Sequence, residues 1–162
     1  MGSRPTLTTA TCAYIAGFLD GDGSLMLQIK HRSETKRGWR FMATIVFYQD
    51  TRHEAPLLWI RRQLGAGYIS RRGDGITEVR INGYAQVKNI LKLLLPYLRF
   101  KKAQGQAIYL ACEILSHKSV DMLTKREKKK LCSCIINVQK NNYSTHRKKS
   151  QEELWKIVGL TP

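Results

Sequence analysis

The chain has 162 residues, and its 28 Lys+Arg against 12 Asp+Glu leave a formal surplus of 16 positive charges, which calls for a polyanionic partner. Hydrophobic residues make up 43% of it, enough to bury a core, so a disordered basic tail is excluded. No stretch is apolar enough to span a bilayer and no signal-peptide pattern opens the chain; the expected partner is nucleic acid inside the cell, with no membrane and no small-molecule substrate.

Residues 13–24 read AYIAGFLDGDGS, an apolar helix with small residues at helical spacing that ends in two aspartates one glycine apart. At 3.6 residues per turn, Ala13, Ala16, Gly17 and Asp20 share one face, and Tyr14, Ile15, Phe18 and Leu19 the other. The bulky face suits a core. The small face lets a second helix backbone approach closely, which predicts a helix–helix contact outside the chain's own core. Asp20 and Asp22 fall at the helix C-terminus, where the macrodipole disfavours a carboxylate by about 0.3 to 1 kcal/mol. A divalent cation such as Mg²⁺, held together with substrate phosphates, is a reason to keep negative charge there. An EF-hand loop fits poorly, because no ligand-rich loop follows Leu25.

Leu25, Leu27 and Ile29 then alternate with Met26, Gln28, Lys30 and Arg32, the period of a half-buried strand. A polar connection over 33–38 leads to a second such run from Trp39 to Tyr48, making a long hairpin. Residues 55–64 read as a helix with Pro56 in its first turn and Gly65 as its C-cap. Strands are predicted over Gly67 to Arg71 and Ile76 to Ile81, joined by the turn at 72–75. Asn82 is the expected N-cap of a helix over 84–95, stopped by Pro96, and another helix covers 102–115. Thr124 to Glu127 and Ser150 to Glu153 both match the capping box, which predicts two further helices. The four cysteines, Cys12, Cys112, Cys132 and Cys134, match no usual zinc spacing and read as buried free thiols. The fold class expected is α+β: a single domain over 1–162, with its core at about 10–116 and a basic helical region at about 117–162.

Ile15 to Gly23, the strand pattern, Gln49, the Gly65-Ala66-Gly67-Tyr68 turn and Pro96 to Lys102 together closely resemble the LAGLIDADG homing endonucleases, in the short class with one motif per chain. The resemblance covers roughly residues 10–116. It implies an αββαββα fold whose four-stranded antiparallel sheet forms a saddle over the major groove of double-stranded DNA. It also implies a homodimer paired through the motif helices, with Ala13, Ala16, Gly17 and Asp20 at the interface. Asp22 matches the metal-binding acid of the family and Gly21 a backbone metal ligand. Gln49 matches a residue that positions solvent, and Lys101 a basic residue near the scissile phosphate. His53, or Arg52 before it, stands where relatives often carry a basic residue. Asp20 matches an acid that mostly caps and orients structure. The activity implied is Mg²⁺-dependent hydrolysis of phosphodiesters at a long pseudo-palindromic site, with intron homing as the biological setting; Mn²⁺ is expected to substitute, and Ca²⁺ to support binding without cleavage.

By alternation, the sheet face opposite the core presents Met26, Gln28, Lys30, Arg32, Arg40, Met42, Thr44, Val46 and Tyr48 from the first hairpin, and Ser70, Arg72, Glu78 and Arg80 from the second. Arg and Lys can donate to guanine, Gln to adenine, Glu can accept from cytosine, and Met, Val or the Thr methyl can meet a thymine methyl. A strand of about nine residues spans about nine base pairs, so two protomers would cover somewhat under two turns. The basic runs at 125–130 and 146–149 read equally as solvated faces or as grips on flanking phosphate. Two rivals of other classes remain at this point, an RNA-binding intron maturase and a DNA-binding regulator without nuclease activity. Retention of Asp22 speaks against the regulator. Side chains set for a DNA major groove speak against A-form RNA.

Overall fold

The computed structural model describes residues 7–143 and 145–161. Helix α1 spans Thr9–Asp22, strands β1 and β2 span Gly23–His31 and Trp39–Asp50, and α2 spans Ala55–Leu64. Strands β3 (Tyr68–Arg71) and β4 (Ile76–Asn82) follow, then α3 (Tyr84–Leu94), α4 (Lys102–His117), α5 (Lys125–Asn141) and α6 (Gln151–Ile157). The four strands form one antiparallel sheet in the order β1-β2-β4-β3. The fold class read from alternation and capping is therefore the observed one.

The register explains how one face becomes core. Leu25 pairs with Ile45, Leu27 with Ala43, and Ile45 in turn with Ile81, so apolar side chains line up across three strands. All are buried, together with Phe41, Phe47 and Val79, against α1, α3 and α4. Each fully buried Leu, Ile or Phe contributes about 1.5 to 3 kcal/mol relative to exposure. Leu131, Cys132, Ile135 and Val138 of α5 and Leu154 of α6 belong to the same hydrophobic cluster, so the C-terminal helices pack on the core instead of trailing from it.

The caps fall largely where the sequence puts them. Gly65 ends α2 in the left-handed region, φ 61°, its N–H donating to the Arg61 carbonyl. Thr124 and Ser150 each complete a capping box, with Glu127 and Glu153. Asn82 does not cap α3. Gly83, at φ 95°, takes that place, and Asn82 accepts instead from the Thr44 hydroxyl at 2.8 Å. The four cysteines are free and buried. Among the described residues, no helix is long and apolar enough to cross a membrane.

Gly23 is where α1 turns directly into β1. A Cβ there would lie 2.8 Å from the Leu19 carbonyl oxygen, so only glycine lets the strand leave the helix this tightly. That tight exit fixes Asp22 at the last position of α1, immediately before the sheet.

Candidate active site and nucleic-acid interface

The end of α1 and the start of α4 cap one another. The Asp20 carboxylate accepts the backbone N–H groups of Arg99, Phe100 and Lys101 at 2.7, 3.3 and 2.9 Å. It thereby places negative charge at the positive N-terminus of α4, whose N-cap is Lys101. In return the Lys101 ammonium donates to the Asp20 carbonyl at the negative end of α1. The Asp20 carboxylate is thus directed into its own chain. Burial pushes the Lys101 ammonium below its ordinary range, while Asp20 and Asp22 pull it back up.

Asp22 is exposed and, among the described residues, has no hydrogen-bond or ion-pair partner. Gly21 before it is exposed too, and its carbonyl is one of the last four of α1, which lack intrahelical donors. An unpaired carboxylate beside an open backbone carbonyl is a hard-oxygen pair suited to Mg²⁺. Among the described residues no group of three or more His, Cys, Asp or Glu is placed to hold a metal.

Gly23 pairs with Phe47, which places Gln49 two residues further along β2, at the same end of the sheet as Asp22. Its amide oxygen accepts the Asp50 N–H at 2.9 Å. Asp50 holds Arg52 through two guanidinium hydrogen bonds of 3.0 and 2.8 Å and lies well below the usual carboxylate range because of them. Arg52 is therefore occupied locally. His53, exposed in the short 3₁₀ turn Thr51–His53, is the basic residue left open.

The outer sheet face carries Met26, Gln28, Lys30, Arg40, Met42, Tyr48, Ser70 and Arg80 at half-buried or exposed positions, and Arg32 and Arg72 stand just past the ends of β1 and β3. Three residues assigned to this face by alternation are not available on it. Thr44 and Val46 are fully buried, because they sit on β2 in mid-sheet between Met26 and Ser24 on one side and Asn82 and Arg80 on the other. Glu78 is 4% exposed and accepts from Arg80 at 2.6 Å and Arg72 at 3.2 Å. Both guanidiniums are held in their charged form by this shared carboxylate. Ser24 and exposed Asn82 also lie on this face, and extending the same alternation by one step at each end finds them.

The small face of α1 is rotated from its sequence reading. Cys12, Ile15, Ala16 and Leu19 form the buried stripe, so Ala16 is a core residue and not an interface residue. Ala13 and Gly17 are exposed, and Tyr14, 54% exposed, joins them while its ring stands edge-on to Trp59. A Cβ at Gly17 would meet nothing within 4 Å. The sequence also gave no sign of a cavity of about 750 Å³ that reaches from Asp20 and Lys101 along β1 to Arg147 and Lys149.

The DNA endonuclease I-CvuI of Chlorella vulgaris is 33% identical over 96 residues, 59% of this chain; in that alignment the chain spans 60% of the relative's length. The DNA endonuclease I-CreI of Chlamydomonas reinhardtii is 28% identical over 147 residues, 90% of this chain and 86% of that protein. The homing endonuclease I-CvuI, solved in complex with the I-CreI target in the presence of 2 mM Mg with the DNA not cleaved, superposes with a TM-score of 0.80 at 25% identity, over 94% of this chain and 97% of that chain. The LAGLIDADG endonuclease family model matches residues 15–115, from the motif helix through the sheet to α4. The chain belongs to the LAGLIDADG endonuclease family.

Proposed function

We propose that the protein is a homodimeric, divalent-metal-dependent homing endonuclease that cuts both strands of a long pseudo-palindromic DNA site. The observation that carries this reading is Asp22: an exposed carboxylate, unpaired among the described residues, at the tip of the motif helix, in the field of Lys101 and at the edge of a basic sheet face. The relatives I-CvuI and I-CreI are both DNA endonucleases.

In this reading Asp22 and the Gly21 carbonyl hold Mg²⁺, with Mn²⁺ able to replace it and Ca²⁺ supporting binding alone. When bound, the cations lower the pKa of the attacking water and neutralise charge on the leaving oxygen. Lys101, fixed by Asp20, keeps positive charge beside the scissile phosphate. Gln49 and His53 order solvent at the same end of the sheet. One Asp22 per chain serves one strand break, so two chains meet at the exposed Ala13–Gly17 face to make two. Arg72, Arg80 and the side chains of β1 read base edges.

The test is selection of cleaved products from a random duplex library with Mg²⁺, set beside the same incubation with a chelator. Two-strand cuts clustered on one pseudo-palindromic sequence and lost on chelation support the reading. No cleavage with any divalent cation, together with binding of intron RNA, overturns it.

A further inference from the structure

Helix α2 begins over one row of the sheet. Arg71 of β3, Thr77 of β4 and Gln49 of β2 pair across three strands, so their side chains leave the same face, one step beyond the buried Val79 and Phe47. Glu54, the N-cap of α2, extends over this row. Its carboxylate accepts from Arg71 Nε at 3.0 Å, from Arg71 Nη2 at 2.7 Å and from the Thr77 hydroxyl at 2.7 Å. Thr77 is fully buried, and its hydroxyl also stands 3.0 Å from that of Thr51. A carboxylate only accepts, so the single Thr77 proton goes to Glu54 and the Thr51 hydroxyl donates to Thr77.

The two ends of the turn Thr51–His53 are therefore tied to one residue. Thr51 opens the turn, Glu54 follows it, and both meet Thr77. The Thr51 N–H adds a bond to the Gly75 carbonyl at 2.8 Å, just before β4. Arg71, with Thr77, holds the Glu54 carboxyl below its ordinary range, so the tie keeps its charge. An exposed ion pair alone would fix little, but here a buried hydroxyl and a second threonine are joined to it, and hydrogen bonds to a charged group are the strong ones. Among the described residues the His53 ring makes no hydrogen bond, so the backbone of the turn sets where it stands.

We propose that Thr77 and Glu54 are positioning residues for cleavage, which clamp the turn carrying His53 to the sheet row carrying Gln49 and so set the spacing of these two solvent-ordering groups. The inference rests on the roles read above for His53 and Gln49. Neither clamp residue needs to touch DNA, since Thr77 is buried and the Glu54 carboxylate is engaged by Arg71 and Thr77. A displacement of about 1 Å near the reacting atoms can cost on the order of 100-fold in rate, so a clamp on the backbone reaches the chemistry.

The test uses Thr77→Val, which deletes the hydroxyl and keeps the branched shape, Thr77→Ser, which keeps the hydroxyl, and Thr77→Val again on a His53→Ala background. Single-turnover cleavage at saturating protein is read beside Ca²⁺-supported affinity and thermal unfolding. Thr77→Val should slow cleavage by about 10-fold to 100-fold with affinity unchanged, and Thr77→Ser should recover most of the rate. On the His53→Ala background, Thr77→Val should change cleavage by less than about two-fold, because a displaced turn matters only through the ring it carries. A merely structural Thr77 would show its full loss there. Where Thr77→Val proves unfolded, Thr51→Val cuts the same link from the half-buried side and decides. Wild-type cleavage in Thr77→Val, a full loss repeated without His53, or affinity falling in step with rate overturns the inference. With His53→Ala slowed and Thr77→Val unchanged, the clamp alone is refuted. A His53→Ala variant that cuts at the wild-type rate refutes the role of His53 and the clamp together, and a wild type that cuts no DNA refutes the function.

Discussion

The Asp20 carboxylate accepts the Lys101 backbone N–H at 2.9 Å while the Lys101 ammonium returns to the Asp20 carbonyl, so each residue caps the helix that the other belongs to or begins. The pairing ties the end of α1, where Asp22 is proposed to hold a metal, to the cation proposed for the scissile phosphate. Asp20→Ala removes the acceptor for three N–H groups, and loss of such a cap costs about 0.5 to 2 kcal/mol. The urea midpoint should fall with the slope unchanged, and cleavage should fall further than DNA affinity. Wild-type stability with lost dimerisation would instead put Asp20 at the interface.

Lys101 carries a pH signature. Burial lowers its pKa from the ordinary 10.5, against the pull of Asp20 and Asp22. The folded protein binds this proton less tightly than the unfolded chain does, so the group favours folding more as pH rises through the gap between the two values. The same deprotonation removes positive charge from the cleavage end. Cleavage at saturating DNA should therefore decline on the alkaline side below 10.5. Lys101→Arg should move that decline upward, because a guanidinium stays charged beyond about pH 12. An identical alkaline limb in the arginine variant would remove Lys101 from the rate.

Glu78 is the carboxylate shared by the two arginines proposed to read bases. Its buried carboxylate aligns Arg72 and Arg80, whose side chains are 47% and 30% exposed and reach the outer face. Glu78→Ala frees the Arg80 guanidinium and leaves Arg72 held by Asp74 alone. Preference at one or two base pairs in each half-site should relax, while affinity for unrelated DNA holds or rises, since a negative charge has left a phosphate-facing surface. Partial rescue by Glu78→Gln, which keeps the acceptor geometry, separates alignment from bulk. A base profile unchanged in Glu78→Ala would show that the arginines are placed without it.

What was legible in the sequence follows from which interactions are local. Alternation in β1 and β2 gives side-chain direction, and cap residues such as Gly65 and Thr124 act within one turn. Asp22 stands out because its motif is contiguous. Alternation does not tell how far a central strand is enclosed by its neighbours, so Thr44 and Val46 alternate with the core side chains yet are buried between β1 and β4. The pairing of Glu78 depends on cross-strand geometry, and an isolated acid among arginines reads equally as a base contact. Ala16 reads as an interface residue because α1 is apolar nearly all round, leaving no polar stripe to mark its orientation. The wall opposite β1 joins residues 117 positions apart in the Asn142–Leu25 contact, beyond any local signal.

Gly17 tests the dimer. Its Cβ position is open in the single chain, so Gly17→Leu meets no internal clash and should raise helix propensity by roughly 0.8 to 1 kcal/mol. Across a close helix pair the same side chain forces the backbones apart. Sedimentation should show a dimer for the wild type and folded monomers for Gly17→Leu, with cleavage lost. A variant that stays dimeric would move the two-fold contact away from the Ala13–Gly17 face.

Asp22→Asn should separate binding from cutting. The exchange keeps the size and shape of an exposed side chain that makes no hydrogen bond or ion pair with the described residues, so stability should match the wild type within about 0.5 kcal/mol. It removes the charge on which the divalent cation depends, and asparagine offers only a neutral oxygen in its place. Cleavage should fall below detection with Mg²⁺. Affinity should survive or improve, because groove contacts come from the sheet and two like charges leave the dimer centre. Gel shift and cleavage measured on the same selected duplex check both halves together. Cleavage at the wild-type rate would refute the metal assignment, and loss of binding in step with cleavage would make Asp22 a DNA-positioning residue instead.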